Sequence, residues 1–454
     1  MVNVLIVSPA SKNIGAWEQQ LGNAAILIPT ITELKQSIAD IAISTTVQLS
    51  ENFCKEYGIK SLRNDSFWKI SRSAILGSLV DLLKCSLWRM LRKTLKLNAE
   101  WLIKGVKLNE YTKADVILDV SGDTYSDDIP WYILTKHSAE LLAMRLLRKP
   151  VIIFAASPGP FYSKPMRLLA KFTLNRMTLI TTREQLSNDY LQKIGVRKEL
   201  IVTTVCPAFL LEPAPKERSK EILELEGIDK NDRPLIGITL AGYNLYSYRS
   251  WEVPPSLEDL SSYAPVVKYL LDDVKAHVIL IPHVYRTNQL TGEHIQGPDY
   301  KILKHLYQLV DGDKYNGRIR LIEGTYASPE IKGIIGQLDL FITGRLHAGI
   351  AALSQAIPTV LLAYGRKHHG VAQLLGQENY VCSGSDPEKT LAVARDAWNN
   401  RAEISMSLQQ RLVNFRELAN LNFEIVKAIV DLDKKERPYT PQEIVAGQIK
   451  RVAL

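Results

Sequence analysis

Cysteine is scarce in this chain: four residues in 454, Cys54, Cys85, Cys206 and Cys382, lie far apart. Such spacing excludes a disulfide framework or a zinc ribbon and fits a reducing compartment. Also missing is any run of about eighteen uncharged apolar residues, so no membrane-spanning helix is expected. Residues 1–7 lack a basic n-region and a small-residue cleavage site, and read as a first buried strand rather than a secretory signal. A cytoplasmic protein follows as the expectation. No internal repeat or low-complexity tract occurs, and no spacing of His, Cys, Asp or Glu matches a metal-ligand motif, so no metal is expected. Hydrophobic residues at 46% and charged residues at 23% exclude a largely disordered or fibrous chain.

What is present is length, and a surplus of positive charge. A chain of 454 residues predicts two α/β-sized domains. Lys and Arg exceed Asp and Glu by 56 to 48, giving a net charge of +8, which favours an anionic partner. Short apolar runs that end in small or polar residues and pass into helix-period segments are the pattern of parallel βαβ units. Strands are predicted at residues 4–7, 41–47, 116–120, 151–155, 179–182 and 201–204. They recur at 235–240, 278–281, 319–322, 338–343 and 359–363. The proline- and charge-rich stretch 213–233 reads as a linker with a short helix. The expected fold is therefore α/β with two doubly wound domains: residues 1–212, then 234–433, followed by a tail at 434–454. Ligands of such sheets bind at the carboxyl ends of the strands, so a cleft between the domains is where chemistry is expected. Residues 387–433 read as helical, part of them expected to pack back across the junction.

Residues 73–107 stand apart as a basic amphipathic helical insert. Leu76, Leu79, Leu83, Leu87, Met90, Leu91 and Leu95 fall at helical spacing among Lys84, Arg89, Arg92, Lys93 and Lys96. Two readings are open: a helix packed on the first domain with a solvated basic face, or one that lies on an anionic membrane surface.

The densest candidate site is Gly344-Arg345-Leu346-His347-Ala348, where a buried strand passes into a small-residue helix. A helix N-terminus attracts anions, and an Arg there can clamp a phosphate or carboxylate. The next strand ends in Tyr364-Gly365-Arg366-Lys367-His368. A right-handed crossover between parallel neighbours would set the two loops side by side, crowding cations and imidazoles into one pocket. Other strand ends supply further candidates. Ser157-Pro158-Gly159-Pro160 either lets a substrate approach backbone amides or is simply a turn. Arg183 either reaches a ligand or pairs with Glu184 on the surface. His283 follows a strand, with Asp299 further along. Asp119, Asp123, Asp127 and Asp128 could hold sugar hydroxyls, orient a base or cap a helix. Outside residues 73–107 no basic stripe with interleaved aromatics marks a nucleic-acid binder.

At these residues the sequence resembles the polysaccharide pyruvyl transferase family. The likeness rests on Gly344-Arg345-Leu346-His347-Ala348, Ala363-Tyr364-Gly365-Arg366-Lys367 and Pro282-His283-Val284. It extends to Thr182-Arg183-Glu184, Ser157-Pro158-Gly159-Pro160-Phe161 and Pro207-Ala208-Phe209-Leu210-Leu211. The resemblance implies two Rossmann-like halves in a glycosyltransferase-B-like arrangement, the N-terminal one on the acceptor side and the C-terminal one on the donor side. It implies an enzyme that moves a pyruvyl group from phosphoenolpyruvate onto a polysaccharide or lipid-linked sugar, with no further cofactor. By motif, His347 matches the general acid. Arg345, Leu346, Lys367 and Arg183 match donor-binding positions, while His283, Asp123, Ser157, Gly159, Tyr364 and His368 are cleft contacts. The chain departs from the pattern at its N-terminal loop, where Asn13-Ile14-Gly15-Ala16-Trp17-Glu18 lacks the usual acidic pair. It departs again after residue 240, where Ala241-Gly242 stands in place of an Arg that Arg249 could replace. Two alternatives remain at this point: a nucleotide-sugar glycosyltransferase of similar layout, and a non-catalytic relative in glycan assembly.

Overall fold

Val2–Val7 opens the fold as strand β1, almost every side chain buried. Such apolar runs are stable only when covered on both faces, which is the condition of a parallel sheet between helix layers. The computed structural model describes residues 1–9, 16–62, 67, 70–228, 233–242, 257–287, 294–383, 386–433, 440 and 444. The chain divides into two units: residues 1–17, 30–207 and 417–454 in the first, 18–29 and 208–416 in the second. Asn13-Ile14-Gly15, Arg249 and nearly all of the expected tail lie outside the described residues.

The first unit continues with helix α1 (Leu21–Ser37), whose residues up to Pro29 count with the second unit. Then follow β2 (Ile41–Thr45), α2 (Glu51–Tyr57), β3 (Lys60–Ser61), α3 (Arg72–Thr94), α4 (Val106–Lys113) and β4 (Val116–Asp119). The unit goes on through α5 (Trp131–Leu146), β5 (Val151–Ala156), α6 (Lys164–Leu174), β6 (Leu179–Thr182), α7 (Gln185–Lys193) and β7 (Ile201–Thr203). The parallel sheet has the order β3-β2-β1-β4-β5-β6-β7. Its order reverses between β1 and β4, the switch point characteristic of a doubly wound sheet. Ser50 caps α2, accepting from the Phe53 amide at 3.2 Å, and Gly58 ends that helix in the left-handed region at φ 55°.

Helix α3 is no insertion: with α4 it forms the crossover from β3 to β4, and it packs along α5. Ser78, Cys85 and Trp88 face inward. A buried ionic cluster ties the three helices together. Lys107 Nζ lies 3.2 Å from Glu140 and 3.4 Å from Asp81, Lys136 Nζ lies 2.9 Å from Glu140, and Ser78 Oγ donates to Glu140 at 2.9 Å. Burial works to raise the Glu140 pKa, but Lys136 and Lys107 outweigh it and hold the carboxyl below its usual range.

The second unit begins with α8 (Lys216–Leu225), then β8 (Leu235–Thr239), α9 (Ala264–Asp272) and β9 (His277–Leu280). An antiparallel hairpin of β10 (Tyr285–Thr287) and β11 (His294–Gln296) follows, then α10 (Pro298–Leu309), β12 (Ile319–Leu321) and α11 (Ser328–Ile335). Next come β13 (Leu340–Thr343), α12 (Leu346–Leu353), β14 (Thr359–Leu362), α13 (Arg366–Leu374) and β15 (Val381–Cys382). Next among the described residues come α14 (Pro387–Asn399), α15 (Arg401–Leu412) and α16 (Phe415–Asp433). The parallel sheet reads β12-β9-β8-β13-β14-β15, the same winding as in the first unit. Both expected α/β sheets are thus observed.

The expected boundaries differ from this division in three places. Residues 213–233 were read as a linker, yet α8 buries Ile222 and Leu223 in the second unit's core with Ile331, Ile334 and Ile335. Full burial of each such side chain contributes about 1.5–3 kcal/mol, enough to make this stretch part of the domain. The start of α1 belongs to the second unit, with Leu21 in that same core. Lastly, α16 from Glu417 onward belongs to the first unit: Phe423 meets the Phe154 ring at 5.5 Å, and buried Asn422 bonds Thr204 at 2.9 Å and the Val205 carbonyl at 3.1 Å.

Candidate active site

In the second unit β13 and β14 are parallel neighbours, Thr343 opposite Leu361, so their carboxyl ends lie side by side as the crossover rule predicts. Each strand feeds directly into a helix. After β13, Arg345 is the N-cap residue of α12 with extended backbone, and Leu346 and His347 form the helix's first two positions. The Thr343 hydroxyl accepts the Arg345 amide at 3.0 Å and fixes the turn. After β14, Gly365 caps α13, with Arg366, Lys367 and His368 in its first turn. Cations at the positive end of a helix are unfavourable on their own.

Arg345 is held by Asp299. Its Nε and Nη2 atoms donate to the two carboxylate oxygens at 3.0 and 2.5 Å, a bidentate pair. Asp299 is fully buried in the first turn of α10 and also accepts the His283 amide at 3.3 Å. Burial, with the Arg345 charge beside it, pushes the His283 imidazole down to about 3, so its ring is neutral at physiological pH. The structure thereby brings His283, Asp299 and Arg345 together. The tie between Asp299 and Arg345 is absent from the sequence expectations; the local signal that places this carboxylate is Gly297-Pro298-Asp299, the start of a helix.

His347 is half-buried, and Gly22 of α1 backs its ring. A Cβ on Gly22 would stand 2.7 Å from His347 Nδ1, so only glycine admits the imidazole in this position. The amide of Leu21 donates to the His283 carbonyl at 3.3 Å, and Gln20 bridges to Val284, which fixes the start of α1 against the same strand end.

A second group gathers at the end of β14. The Tyr364 ring meets His368 edge-on at 4.7 Å between centroids, and Lys367 Nζ lies 5.2 Å from the Tyr364 ring centre. His368 is fully buried, its Nδ1 3.1 Å from the Gly365 carbonyl. Burial first, then Lys367, lowers its pKa to about 3 against the carbonyls of Gly365 and Gly344, which pull the other way.

The first unit holds its candidates in another cluster. Ala155 near the end of β5 sits at φ 44°, where the register with β6 shifts, a strained conformation for a residue with a side chain. Ser157 follows, and its hydroxyl accepts Arg183 Nε at 2.5 Å while donating to Glu184 at 2.9 Å. Ser187 bonds the other Glu184 oxygen. Arg183 is buried, not on the surface, and lies 3.7 Å from Glu184. Burial disfavours its charge, but Cys206, Glu184 and Asp123 raise its pKa overall. Gly159 has φ 95° and lies against the Tyr190 ring, where a Cβ would come within 2.7 Å. Of the carboxylates at and after the end of β4, Asp119 is engaged by His137 at 2.9 Å and the Ser121 amide at 3.0 Å, and Asp127 by the amides of Tyr162 and Ser163. These two serve the loop's own structure, while the Asp123 carbonyl accepts Ser126 at 3.0 Å. Among the described residues no group of three or more His, Cys, Asp or Glu is placed to hold a metal.

Two units, each built on a doubly wound parallel sheet with helices starting at its strand ends, define a class of two-domain Rossmann-like α/β proteins. The fold is shared with the S. aureus MnaA–UDP co-structure, at a TM-score of 0.58 and 13% identity over 97% of this chain and 100% of that one. It is also shared with the UDP-GlcNAc 2-epimerase from Methanocaldococcus jannaschii, at 0.55 and 15% over 88% and 93%. Within this glycosyltransferase-B-like fold class, the chain belongs to the polysaccharide pyruvyl transferase family, whose model matches residues 21–366. A relative is the amylovoran biosynthesis protein AmsJ of Erwinia amylovora, 22% identical over 355 residues, covering 71% of this chain and 74% of that protein.

Proposed function

We propose that the protein transfers a pyruvyl group from phosphoenolpyruvate to two hydroxyls of a sugar in an extracellular polysaccharide or its lipid-linked precursor, working in the cytoplasm or at the inner face of the cell membrane. The observation that carries this reading is the pair of neighbouring helix starts, α12 and α13, with Arg345, His347 and Lys367 in their first turns. Asp299 answers the charge of Arg345, and the amides of the two helix starts together with Lys367 attract a ligand bearing both phosphate and carboxylate.

The chemistry follows from the residue types. His347 delivers a proton to the methylene carbon of the enol phosphate, which becomes a methyl group. The adjacent carbon, now cationic, is attacked by one sugar hydroxyl; the bond to the phosphate oxygen breaks, and a second hydroxyl closes the ketal. The two hydroxyl protons restore His347 and protonate the departing phosphate. Arg345, oriented by Asp299, and Lys367 neutralise the donor throughout, acting by fixed electrostatics. Leu346 belongs to the donor-binding turn.

Incubation with phosphoenolpyruvate and candidate glycans should release inorganic phosphate and yield an acid-labile ketal. His347→Ala is expected to slow phosphate release by about 10²- to 10⁴-fold; a variant as fast as wild type would sink the assignment of the proton donor. A nucleotide-sugar glycosyltransferase, favoured by the fold shared with the MnaA–UDP co-structure, is the second reading. Thermal stabilisation by a nucleoside diphosphate and not by phosphoenolpyruvate would select it. Stabilisation by neither donor, in folded protein, would indicate a non-catalytic relative.

A further inference from the structure

Helix α3 turns an apolar stripe to solvent. Leu76, Val80, Leu83, Leu87 and Met90 recur at alternating steps of four and three residues, which places them on one side of a helix. They are 62%, 47%, 68%, 41% and 52% exposed, whereas Ser78, Cys85 and Trp88 on the opposite side are buried. The face turned outward is therefore the apolar one, and the solvated basic face expected of a packed helix is not what α3 presents. At 23 residues the helix runs for about 34 Å. No helix among the described residues is long and apolar enough to cross a membrane, so this stripe is not part of a span.

The charges around it are of one sign. Residues 72–97 carry six Lys or Arg and a single Asp, Asp81, which is turned toward Lys107 at 3.4 Å. Arg72 stands exposed at the start of the stripe, and Lys93 and Lys96 are exposed at its end. A second copy of this face is a poor occupant, because pairing two such stripes would set cations against cations, and the exposed Glu100 beside them is already engaged by Arg92 at 3.5 Å. An anionic lipid leaflet satisfies both features: acyl chains for the leucines and headgroups for the flanking ammonium and guanidinium groups.

We propose that α3 is an in-plane docking surface for anionic phospholipid, holding the first unit on the membrane by Leu76, Val80, Leu83, Leu87 and Met90 with Lys93 and Lys96 at the headgroup level. Asp81 and Ser78 of the helix reach Lys107 at 3.4 Å and Glu140 at 2.9 Å, which fixes it to α4 and α5, so the stripe is preformed and no folding accompanies docking.

Co-sedimentation with vesicles tests this. The full chain should pellet with phosphatidylcholine vesicles containing phosphatidylglycerol at low ionic strength, be released by added salt, and stay in solution with phosphatidylcholine alone. Each Lys or Arg at an anionic surface multiplies affinity by about five-fold, so K93S/K96S should bind about 25-fold more weakly. L83E/L87E should abolish pelleting. Both variants change exposed residues, and an unchanged thermal melt confirms that they fold. The proposal is overturned if folded wild-type protein ignores the anionic vesicles, if both variants bind as wild type does, or if L83E/L87E dissolves a self-associated species that shows no vesicle binding. Phosphate release onto a soluble glycan acceptor is expected to be unchanged in both variants, which separates a failure here from a failure of pyruvyl transfer.

Discussion

Replacing Asp299 by Asn keeps the shape of the side chain but removes the charge that Arg345 holds at 2.5 and 3.0 Å. Asp299 is fully buried and Arg345 is mostly so, and the guanidinium would be left beside a neutral amide that matches at most one of its two donated bonds. Removing one partner of a buried pair costs about 3–5 kcal/mol, because an uncompensated charge stays behind. The His283 amide also loses its ionic acceptor. In urea denaturation, with a slope near 3 kcal/mol/M, D299N should shift the second unit's midpoint down by about 1 M or more. A double-mutant cycle isolates the pair: D299A/R345A should be less destabilised than the sum of the single variants by at least about 1 kcal/mol. Additive single effects, or a D299N midpoint equal to wild type, would refute the view that Asp299 orients Arg345 by a desolvated charge pair.

Gly22→Ala places a methyl group 2.7 Å from His347 Nδ1, so the ring must retreat by about 0.7 Å to reach ordinary contact; turnover should fall by about 10²-fold with a smaller change in KM, read by phosphate release. Acid should weaken the fold through two buried histidines. His283 and His368 titrate at about 3 in the folded chain and near 6.5 unfolded, so between those values the unfolded chain binds more protons and stability falls with pH, by about 2 kcal/mol for each ring at pH 5. Urea midpoints measured from neutral pH downward should show that decline, and His368→Phe should flatten part of it; a flat wild-type profile over this range would contradict neutral burial. Glu140→Gln should destabilise the first unit by about 3–5 kcal/mol, since Lys107 and Lys136 lose their shared buried carboxylate; because the carboxyl's folded pKa is lowered, this contribution is present above its unfolded value and fades as pH falls through the folded one. Thermal melts of the variant and wild type at neutral pH check it.

The long central strands were legible because each is a run such as Val151–Ala156 or Leu340–Thr343, too apolar for anything but a covered sheet. What escaped were pieces whose state is set by neighbours. Strands Lys60–Ser61 and Val381–Cys382 are two residues long and exist only as edges of a formed sheet. The hairpin strands Tyr285–Thr287 and His294–Gln296 are short and largely polar, without a periodic signal. Helix α8 is expected as a short helix in a linker, but its place in the second unit's core is hidden among prolines and charges because it rests on a few residues, Ile222 and Leu223. For α16 the helical pattern was plain, but periodicity says that a face is buried and not against which sheet; only the Phe423–Phe154 contact settles that.

The candidate site divides along the same line. Arg345, His347 and Lys367 could be read locally, since a strand passing into a helix places its next residues at the helix start whatever the rest of the chain does. Their partners could not: Asp299 lies 46 residues before Arg345, and Gly22 meets His347 from the far end of the sequence. Those long-range contacts decide the roles. A guanidinium locked to a buried carboxylate has little freedom to reach, so in the proposed reaction Arg345 would orient a donor that comes to it, while Lys367, on a flexible stem near the Tyr364 ring, would be the cation that follows the phosphate as its bond to carbon breaks. On this division of labour Arg345→Lys should lose both the bidentate tie and the fixed orientation, lowering turnover and stability together. Lys367→Arg should preserve stability and change mainly the rate, and equal effects of the two swaps on urea midpoint and turnover would show that the two cations are interchangeable after all.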